Sequence, residues 1–352
     1  MRVLVAGDRG YIGAVLVPFL RAAGHEVDGL DLGLYEGCDL GPALPGTGSY
    51  PSRDMRDVTP AALSGYDAVV CLAALSNDPV GDLNEAATYS VNLDGTLHLA
   101  EAAKAAGVER FLFSSSCSLY GAAKDSAAVA EDAEMFPVTA YGRTKVDAER
   151  GLALLADDNF SPVYLRNATA YGASTRLRLD IVVNNLTAIA LTTGKVHLQS
   201  DGTPWRPLVH IEDISRAFAA VLSAPRAVIH DQAFNIGRNE DNVQIREVAE
   251  MVREAIPGSE LTFAEGAGPD LRNYRADFAK LYDTFPDLKM RWTVREGIAE
   301  LLQAYRQHGL TYDDFTSSRF TRLRRVRELL GAGALDEELR RQGDASFLRQ
   351  QS

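Results

Sequence analysis

The sequence predicts an α/β protein built on a doubly wound parallel sheet, and three observations carry the prediction. Short apolar runs alternate with longer amphipathic stretches over the first 130 residues, as in strands joined by crossover helices. A glycine-rich turn, GDRGYIG, follows the first apolar run. The segment FLFSSSCSLYG (111–121) places three serines and a cysteine directly after another apolar run. A plain buried strand needs no such group of small polar side chains at its end.

Periodicity predicts the elements in chain order. The strand-like runs are 2–7, 25–31, 67–74 and 110–116, and the helix-like stretches are 11–24 and about 84–107. After residue 310 the pattern changes, and 319–341 predicts two short amphipathic helices interrupted by Gly331 and Gly333. The basic face of these helices is interpreted as solvated, with a phosphate or a partner chain as the alternative.

Composition narrows the class of function. The chain has 352 residues, 46% hydrophobic and 24% charged, with a net charge of −12. This charge argues against nucleic acid or an anionic membrane as a partner, and an anionic substrate would need a local cluster of arginines. Cys38, Cys71 and Cys117 are odd in number and far apart, so we expect free thiols in a reducing cytoplasm and no disulfide or metal. No signal peptide or 18-residue apolar segment is recognised.

The glycine-rich turn predicts a dinucleotide site. Gly7 permits the tight turn, Gly10 lets the backbone approach a pyrophosphate, and Gly13 allows close packing of helix on strand. Asp31, 18 residues beyond Gly13, can accept from both ribose hydroxyls and repels a 2′-phosphate, which favours NAD. Arg9 points the other way, towards NADP, because it could welcome a 2′-phosphate. The further predicted cofactor contacts are Arg9 itself, Tyr11, Ile12, Asp57 (to adenine), Val58, Leu72, Ala73, Ala74 and Ser114.

The segment YGRTK (141–145) predicts the catalytic centre. On a helix, Tyr141 and Lys145 lie on one face about 5–6 Å apart. The lysine ammonium can hold a cofactor ribose and lower the pKa of the phenol, helped by the positive charge of an oxidised nicotinamide.

Over residues 1–305 the chain resembles the extended short-chain dehydrogenase/reductase family of sugar-nucleotide epimerases, dehydratases and reductases. The resemblance rests on GDRGYIG, CLAALS (71–76), SSSCSLYG with YGRTK, and DGTPWRPLVHIEDISRAF (201–218). It implies a Rossmann-type sheet with a smaller mixed α/β substrate lobe. It also implies that the catalytic serine lies four residues before Tyr120-Gly121, which is Ser116. Ser116 would bind the substrate oxygen that exchanges its proton with Tyr141.

The chain departs from the 4,6-dehydratases of this family directly after Ser116. Those enzymes carry Asp-Glu there, and this chain has Cys117 and Ser118. Without a carboxylic acid to protonate the leaving hydroxyl, 4,6-elimination is disfavoured. Cys117 is interpreted as a small residue that shapes the pocket, with an acid/base role as the alternative.

The resemblance also suggests how the substrate is bound. Arg206 matches an arginine that contacts the diphosphate, and Arg272 would fill the second such position from a shifted place, with an ion pair to Asp270 as the alternative. Thr169 replaces an asparagine that the family usually has before its tyrosine-glycine pair. The other predicted substrate contacts are Ser76, Asn77, Cys117, Ser118, Arg176, Asn184 and Asn185.

The leading prediction is therefore an NAD-dependent 4-epimerase of a nucleotide-diphosphate sugar, working as a cytoplasmic homodimer. A ketoreductase or dehydrogenase of an unusual nucleotide sugar is the alternative within the class, and a non-catalytic NAD-sensing protein the alternative outside it. The expected domains are an NAD-binding unit (1–166 and 206–236), a substrate lobe (167–205 and 237–310) and a helical extension (311–352).

Overall fold

Six parallel strands form the central sheet of the protein, whose computed structural model describes residues 1–42, 53–76, 83–121, 128–268 and 273–342. These strands are β1 (Arg2–Ala6), β2 (Glu26–Leu30), β3 (Ala68–Cys71), β4 (Arg110–Ser116), β6 (Ser161–Asn167) and β10 (Gln232–Ile236). Their order across the sheet is β10-β6-β4-β3-β1-β2. The order reverses between β1 and β3, which is where open α/β sheets of this kind form a ligand crevice. The predicted doubly wound sheet is confirmed.

The remaining strands form three smaller sheets of two or three strands each. They are β5 (Ala128–Val129), β7 (Thr169–Tyr171), β8 (Lys195–Leu198), β9 (Trp205–His210), β11 (Asn242–Gln244), β12 (Glu260–Phe263) and β13 (Arg275–Ala276). One sheet has the order β11-β9-β7, and β8 pairs with β12 and β5 with β13. These strands come mostly from the second half of the chain.

Helices cover both faces of the central sheet. They are α1 (Gly13–Ala22), α2 (Glu85–Tyr89), α3 (Gly95–Ala105), α4 (Ala140–Ala153), α5 (Val182–Thr193), α6 (Ile211–Ser223), α7 (Arg226–Ile229), α8 (Ile245–Ala255), α9 (Ala279–Thr284), α10 (Val294–Gln307), α11 (Tyr312–Thr316) and α12 (Arg322–Gly331). Val3 and Val5 of β1 share one buried cluster with residues of α1 and α6. Leu4 shares the opposite cluster with residues of α3 and α4. This period-two alternation is what a strand buried on both faces produces.

Two predicted helices differ from the observed ones. The stretch 84–107 is not continuous, because a π-helical turn at Ser90–Asp94 separates α2 from α3. The first helix of the C-terminal pattern forms as α12, but the second does not. Gly333 has a φ of +66°, and the chain then turns back through a bridge between Leu335 and Arg341. In the part of the chain that the structure describes, no helix is long and apolar enough to cross a membrane.

Candidate active site

A cavity of about 1020 Å³ opens at the carboxyl ends of β1 and β3 and runs towards α5. Its wall combines the glycine turn, the ends of β2, β3 and β4, the start of α4 and the segment before α5. The predicted residues on this wall are Gly7, Gly10, Tyr11, Ile12, Gly13, Asp31, Leu72, Ala73, Ala74, Ser76, Ser114, Ser116, Ser118, Tyr141, Lys145, Thr169, Asn185 and Arg206. The structure brings these residues together, and their individual roles stay predictions.

The glycine turn leaves no room for side chains. Gly7 has a φ of +88°, and a Cβ there would lie 2.7 Å from the backbone nitrogen of Ala73. A Cβ on Gly13 would lie 2.2 Å from the carbonyl oxygen of Gly7. Both contacts are far inside van der Waals distance, so only glycine fits. The turn therefore delivers the first peptide N–H groups of α1 to the cavity, where they favour a phosphate.

Asp31 lies at the end of β2, on the cavity wall. Its carboxylate accepts hydrogen bonds from the backbone N–H of Gly33 (2.6 Å) and of Arg9 (3.2 Å). Burial raises its pKa. Each carboxylate oxygen keeps a lone pair after these bonds, so the donor hydroxyls of a ribose fit here. The chemistry of Asp31 and of the glycine turn therefore suits a dinucleotide that lacks a 2′-phosphate.

Three predicted cofactor contacts need correction. The Arg9 side chain is buried and is not on the cavity wall, and its backbone N–H donates to Asp31 at 3.2 Å. Asp57 is not on the cavity wall and pairs with Arg340 at 3.0 Å. Val58 packs in the core beside α3. Asp57 and Val58 were misplaced because of a 3-10 turn at Met55–Asp57. Asp54, Met55 and Arg56 lie on the wall instead.

Tyr141 and Lys145 lie in the first two turns of α4. Thr139 caps this helix by accepting from the N–H of Gly142 at 3.1 Å. The Lys145 ammonium lies 5.6 Å from the centre of the Tyr141 ring and donates to the carbonyl oxygen of Ser114 at 2.7 Å. Burial lowers the pKa of Lys145 to about 8. The ammonium is thus fixed beside the phenol.

Ser116 ends β4 on the same wall. Its hydroxyl oxygen accepts from the backbone N–H of Ser118 at 3.1 Å, which leaves its own proton available for a ligand oxygen. The side chain of Asn167 donates to the Ser114 hydroxyl at 3.0 Å. Both serines therefore have hydrogen bonds that fix their orientation.

Cys117 does not face the cavity, which corrects the prediction that it contacts substrate. It is fully buried, and its thiol donates to the carbonyl oxygen of Arg166 at 3.1 Å. Burial raises its pKa, so the thiol stays protonated. The cause is local, because the strand ends at Ser116 and a 3-10 turn begins at Cys117. The residue after the strand is thereby directed into the core.

A buried polar network supports the serines from behind, and no sequence pattern predicted it. The Ser115 hydroxyl donates to Glu149 at 2.5 Å. Arg166 forms an ion pair with Glu149 at 2.7 Å and donates to the hydroxyl of Tyr120 at 2.9 Å. That hydroxyl in turn donates to Asn235 at 2.7 Å. The network joins β4, α4, β6 and β10.

On the other side of the cavity, two predicted substrate contacts also need correction. Arg176 is buried, pairs with Asp39 and is absent from the wall. Asn184 is fully buried and holds Gly172 through that residue's backbone N–H at 3.1 Å. Arg178, two residues further along the chain, lies on the wall instead. Asn77 and Arg272 lie outside the described residues.

Charge on the wall is mostly paired. Arg178 donates to the Ser76 hydroxyl at 3.0 Å and pairs with Asp180 at 2.9 Å. Asp54 pairs with Arg56 at 2.5 Å. Together with Asp31, these two aspartates are the carboxylates on the wall among residues that the structure describes. None of them is a free acid beside Ser116 and Tyr141.

Known proteins resemble this chain in sequence and in fold. Residues 3–237 match the family model of the NAD dependent epimerase/dehydratase family. The UDP-glucose 4-epimerase of Corynebacterium glutamicum is 30% identical, over 72% of this chain and 80% of that protein. A 3-diazoavenalumate denitrifying reductase from Streptomyces sp. is also 30% identical, over 65% of this chain and 75% of that protein. The structure of MoeE5 in complex with UDP-glucuronic acid and NAD is 30% identical, with a TM-score of 0.76 over 87% of this chain and 99% of that one.

Proposed function

Because this chain belongs to the NAD-dependent epimerase/dehydratase family, we propose that it inverts C4 of a nucleotide-diphosphate sugar and keeps its NAD bound throughout. The observation that carries this proposal is the composition of one wall. Ser116, Tyr141 and Lys145 lie together on it. Of the described carboxylates there, Asp54 and Asp180 are paired with arginines, and Asp31 is bound by two backbone N–H groups at the end of β2. Oxidation and reduction at C4 need only the three residues and a hydride carrier.

The proposed proton chemistry uses Tyr141 as base and then as acid. The phenolate takes the proton of the C4 hydroxyl, while Ser116 donates a hydrogen bond to the same oxygen. The Lys145 ammonium, 5.6 Å from the centre of the Tyr141 ring, stabilises the phenolate electrostatically and holds a cofactor ribose. NAD held by the glycine turn and Asp31 would supply the hydride acceptor and donor, so that a hydride could leave C4 and return to the opposite face of the ketosugar. Tyr141 then returns the proton, so that the net change is an inversion with no net oxidation.

The substrate's nucleotide end is assigned to the side of the cavity opposite the catalytic wall. Arg206 and Arg178 lie on the cavity wall, and arginine binds diphosphates with two parallel hydrogen bonds. UDP is the nucleotide we propose, because the similar epimerase and MoeE5 are described with UDP-sugars. The division into an NAD-binding unit and a substrate lobe, the homodimer and the cytoplasmic location remain proposals. Analytical ultracentrifugation tests the homodimer.

The alternative is a reductase that exchanges its cofactor each turnover, because a reductase is among the relatives at 30% identity. The deciding experiment denatures the purified protein and quantifies the nucleotide that it releases. About one NAD per chain, without NADH accumulation when UDP-glucose or UDP-glucuronic acid is added, supports the epimerase. Stoichiometric conversion of added NADH or NADPH, with no C4 epimer detected by NMR, would overturn it.

Tyr141→Phe tests the catalytic assignment directly. Removing the phenol oxygen removes the proton acceptor, so we expect turnover to fall by about 10²–10⁴-fold with the NAD content unchanged. The matched control is Tyr312→Phe, at a tyrosine that is half exposed and far along the chain. If Tyr141→Phe retains normal turnover, the chemistry does not run through this residue.

A further inference from the structure

The C-terminal segment 321–342 lies over the loop that follows Asp31. Arg341 donates to the carbonyl oxygens of Leu32 (2.7 Å) and Gly33 (2.6 Å). Arg325 donates to the carbonyl oxygen of Leu34 at 3.4 Å. The basic face of this segment is therefore bound to the protein, which corrects the interpretation of a solvated face. The segment lies beyond residues 3–237, the region that the family model matches.

Apolar contacts fix the same segment to the sheet edge. Val326, Leu329 and Leu335 share a buried cluster with Leu75, which follows β3, and with Ala87 of α2. Burial of this kind stabilises by roughly 25 cal/mol per Å² of apolar surface. The segment is thus a packed part of the fold, and it contributes two residues to the cavity wall, Arg322 and Leu339.

Arg322 carries a buried positive charge without a carboxylate partner among the described residues. It is 4% exposed, its guanidinium lies 3.7 Å above the ring of Tyr35, and one nitrogen donates to the carbonyl oxygen of Arg176 at 3.2 Å. The other terminal nitrogen, Nη1, is buried and has no hydrogen-bond partner in the described part of the chain. Asp180, the carboxylate that interacts with it electrostatically, is already paired with Arg178.

Such an arrangement is costly. Burying a charged group without its hydrogen bonds is strongly unfavourable, and burial lowers the pKa of Arg322. Leu339 adds a second cost, since its φ of +57° is rare for a branched residue. Strained or unsatisfied residues that persist at a cavity wall indicate a functional constraint.

We infer that Arg322 binds a phosphate of a diphosphate-containing ligand, and that segment 321–342 completes the site of that ligand. The inference rests on the proposed binding of NAD and a nucleotide sugar, which both contain a diphosphate. Contact with Tyr35, in the loop that Asp31 begins, favours the dinucleotide. Arg178 and Asp180 also interact electrostatically with Arg322 and lie on the same wall, so the nucleotide sugar is the other source of the same chemistry.

The test measures binding to protein stripped of its cofactor, and needs no turnover. Arg322→Met retains an unbranched apolar stem and removes the guanidinium with its charge. Its control is Arg327→Met, at an exposed position on the same helix. Isothermal titration with NAD should show a rise in Kd of about 10-fold or more for Arg322→Met, and no rise for the control. UDP is titrated in parallel, and a rise in its Kd instead would assign Arg322 to the phosphates of the sugar nucleotide. Unchanged Kd values for both ligands would overturn the inference.

ADP and adenosine separate a phosphate contact from a packing effect. The Kd for ADP should rise in Arg322→Met while the Kd for adenosine stays the same, if the dinucleotide is the ligand. Equal losses for ADP and adenosine would mean that the substitution merely disturbs the wall, which also overturns the inference. Arg322→Lys retains the charge and should recover part of the affinity, and thermal unfolding confirms that each variant is folded. A reaction other than epimerisation leaves all of these binding measurements valid.

Discussion

At the scale of single residues, Lys145 shows how the site trades stability for chemistry. The ammonium is 2% exposed, and its pKa is lowered from an ordinary value near 10.5 to about 8. The unfolded chain therefore holds this proton more tightly than the folded one between pH 8 and pH 10.5. The free energy of unfolding therefore increases as the pH rises from 8 to 10.5, because the folded protein loses the Lys145 proton first. Below pH 8 the buried charge is a net cost to folding.

We therefore expect Lys145→Met to be inactive and yet more stable than the parent at pH 7, by about 1–3 kcal/mol. The advantage should shrink as the pH approaches 10.5. Urea unfolding of the cofactor-free protein at pH 7 and pH 10 measures both values. The exposed Lys195→Met variant is the control, with little change at either pH. A variant that is less stable than the parent at pH 7 would show that the bond to Ser114 outweighs the cost of burial.

The sequence predicted the residues that depend on local periodicity, and it failed where a turn redirects the chain. Tyr141 and Lys145 are four apart on a helix, so helical geometry alone places them side by side. Cys117 and Asp57 were misplaced because each belongs to a 3-10 turn. Turn geometry depends on hydrogen bonds such as that from Ser118 N–H to Ser116, which no apolar pattern encodes.

At the scale of elements, the break between α2 and α3 shows the same limit. The stretch is uninterrupted by proline, and its periodicity predicts one helix. In the structure, Asn92 in the π-helical turn accepts from the N–H of Leu75 at 2.8 Å and donates to its carbonyl oxygen at 3.2 Å. These bonds hold the chain after β3 in place at the cavity. π-helical turns are frequent at functional sites, but the long-range partner of Asn92 is visible only in the fold.

The network behind β4 makes a prediction at this scale. Glu149 of α4 is buried and binds both Ser115 of β4 and Arg166 of β6. Glu149→Ala leaves the Arg166 guanidinium buried without its carboxylate, so we expect a loss of about 3–5 kcal/mol in the free energy of unfolding. Urea unfolding measures it.

The control for that prediction is an ion pair at the surface. Glu254 pairs with Arg295, and both side chains are more than half exposed. Glu254→Ala should cost less than about 1 kcal/mol, because solvent screens the pair. Equal losses for the two variants would mean that the network contributes nothing beyond ordinary ion pairing.

At the scale of the whole molecule, a chain with a net charge of −12 concentrates arginines around one cavity. Arg178, Arg206 and Arg322 come from segments far apart in sequence, and all three lie on its wall. The sequence predicted the need for such a cluster and one of its members, Arg206. It did not predict Arg322, because only the return of the C-terminal segment to the Asp31 loop brings that residue to the site.

The position of that segment predicts how the cofactor enters and leaves. The segment is packed over the loop that follows Asp31, so we expect NAD to enter and leave only when the segment opens. Loosening it should therefore speed association and dissociation by similar factors, and the Kd should change little.

Arg341→Ala removes two hydrogen bonds to the loop, and we expect each rate to rise by about 10-fold. Stopped-flow mixing with NAD and displacement by excess unlabelled NAD measure the two rates, with Arg327→Ala as the control. Arg322→Met should instead raise mainly the dissociation rate of NAD, because it removes a direct contact with the ligand. If Arg341→Ala also changes only the dissociation rate, the segment acts as a further contact and not as a barrier. If it changes neither rate, NAD reaches the cavity by another side, past β4 and α4.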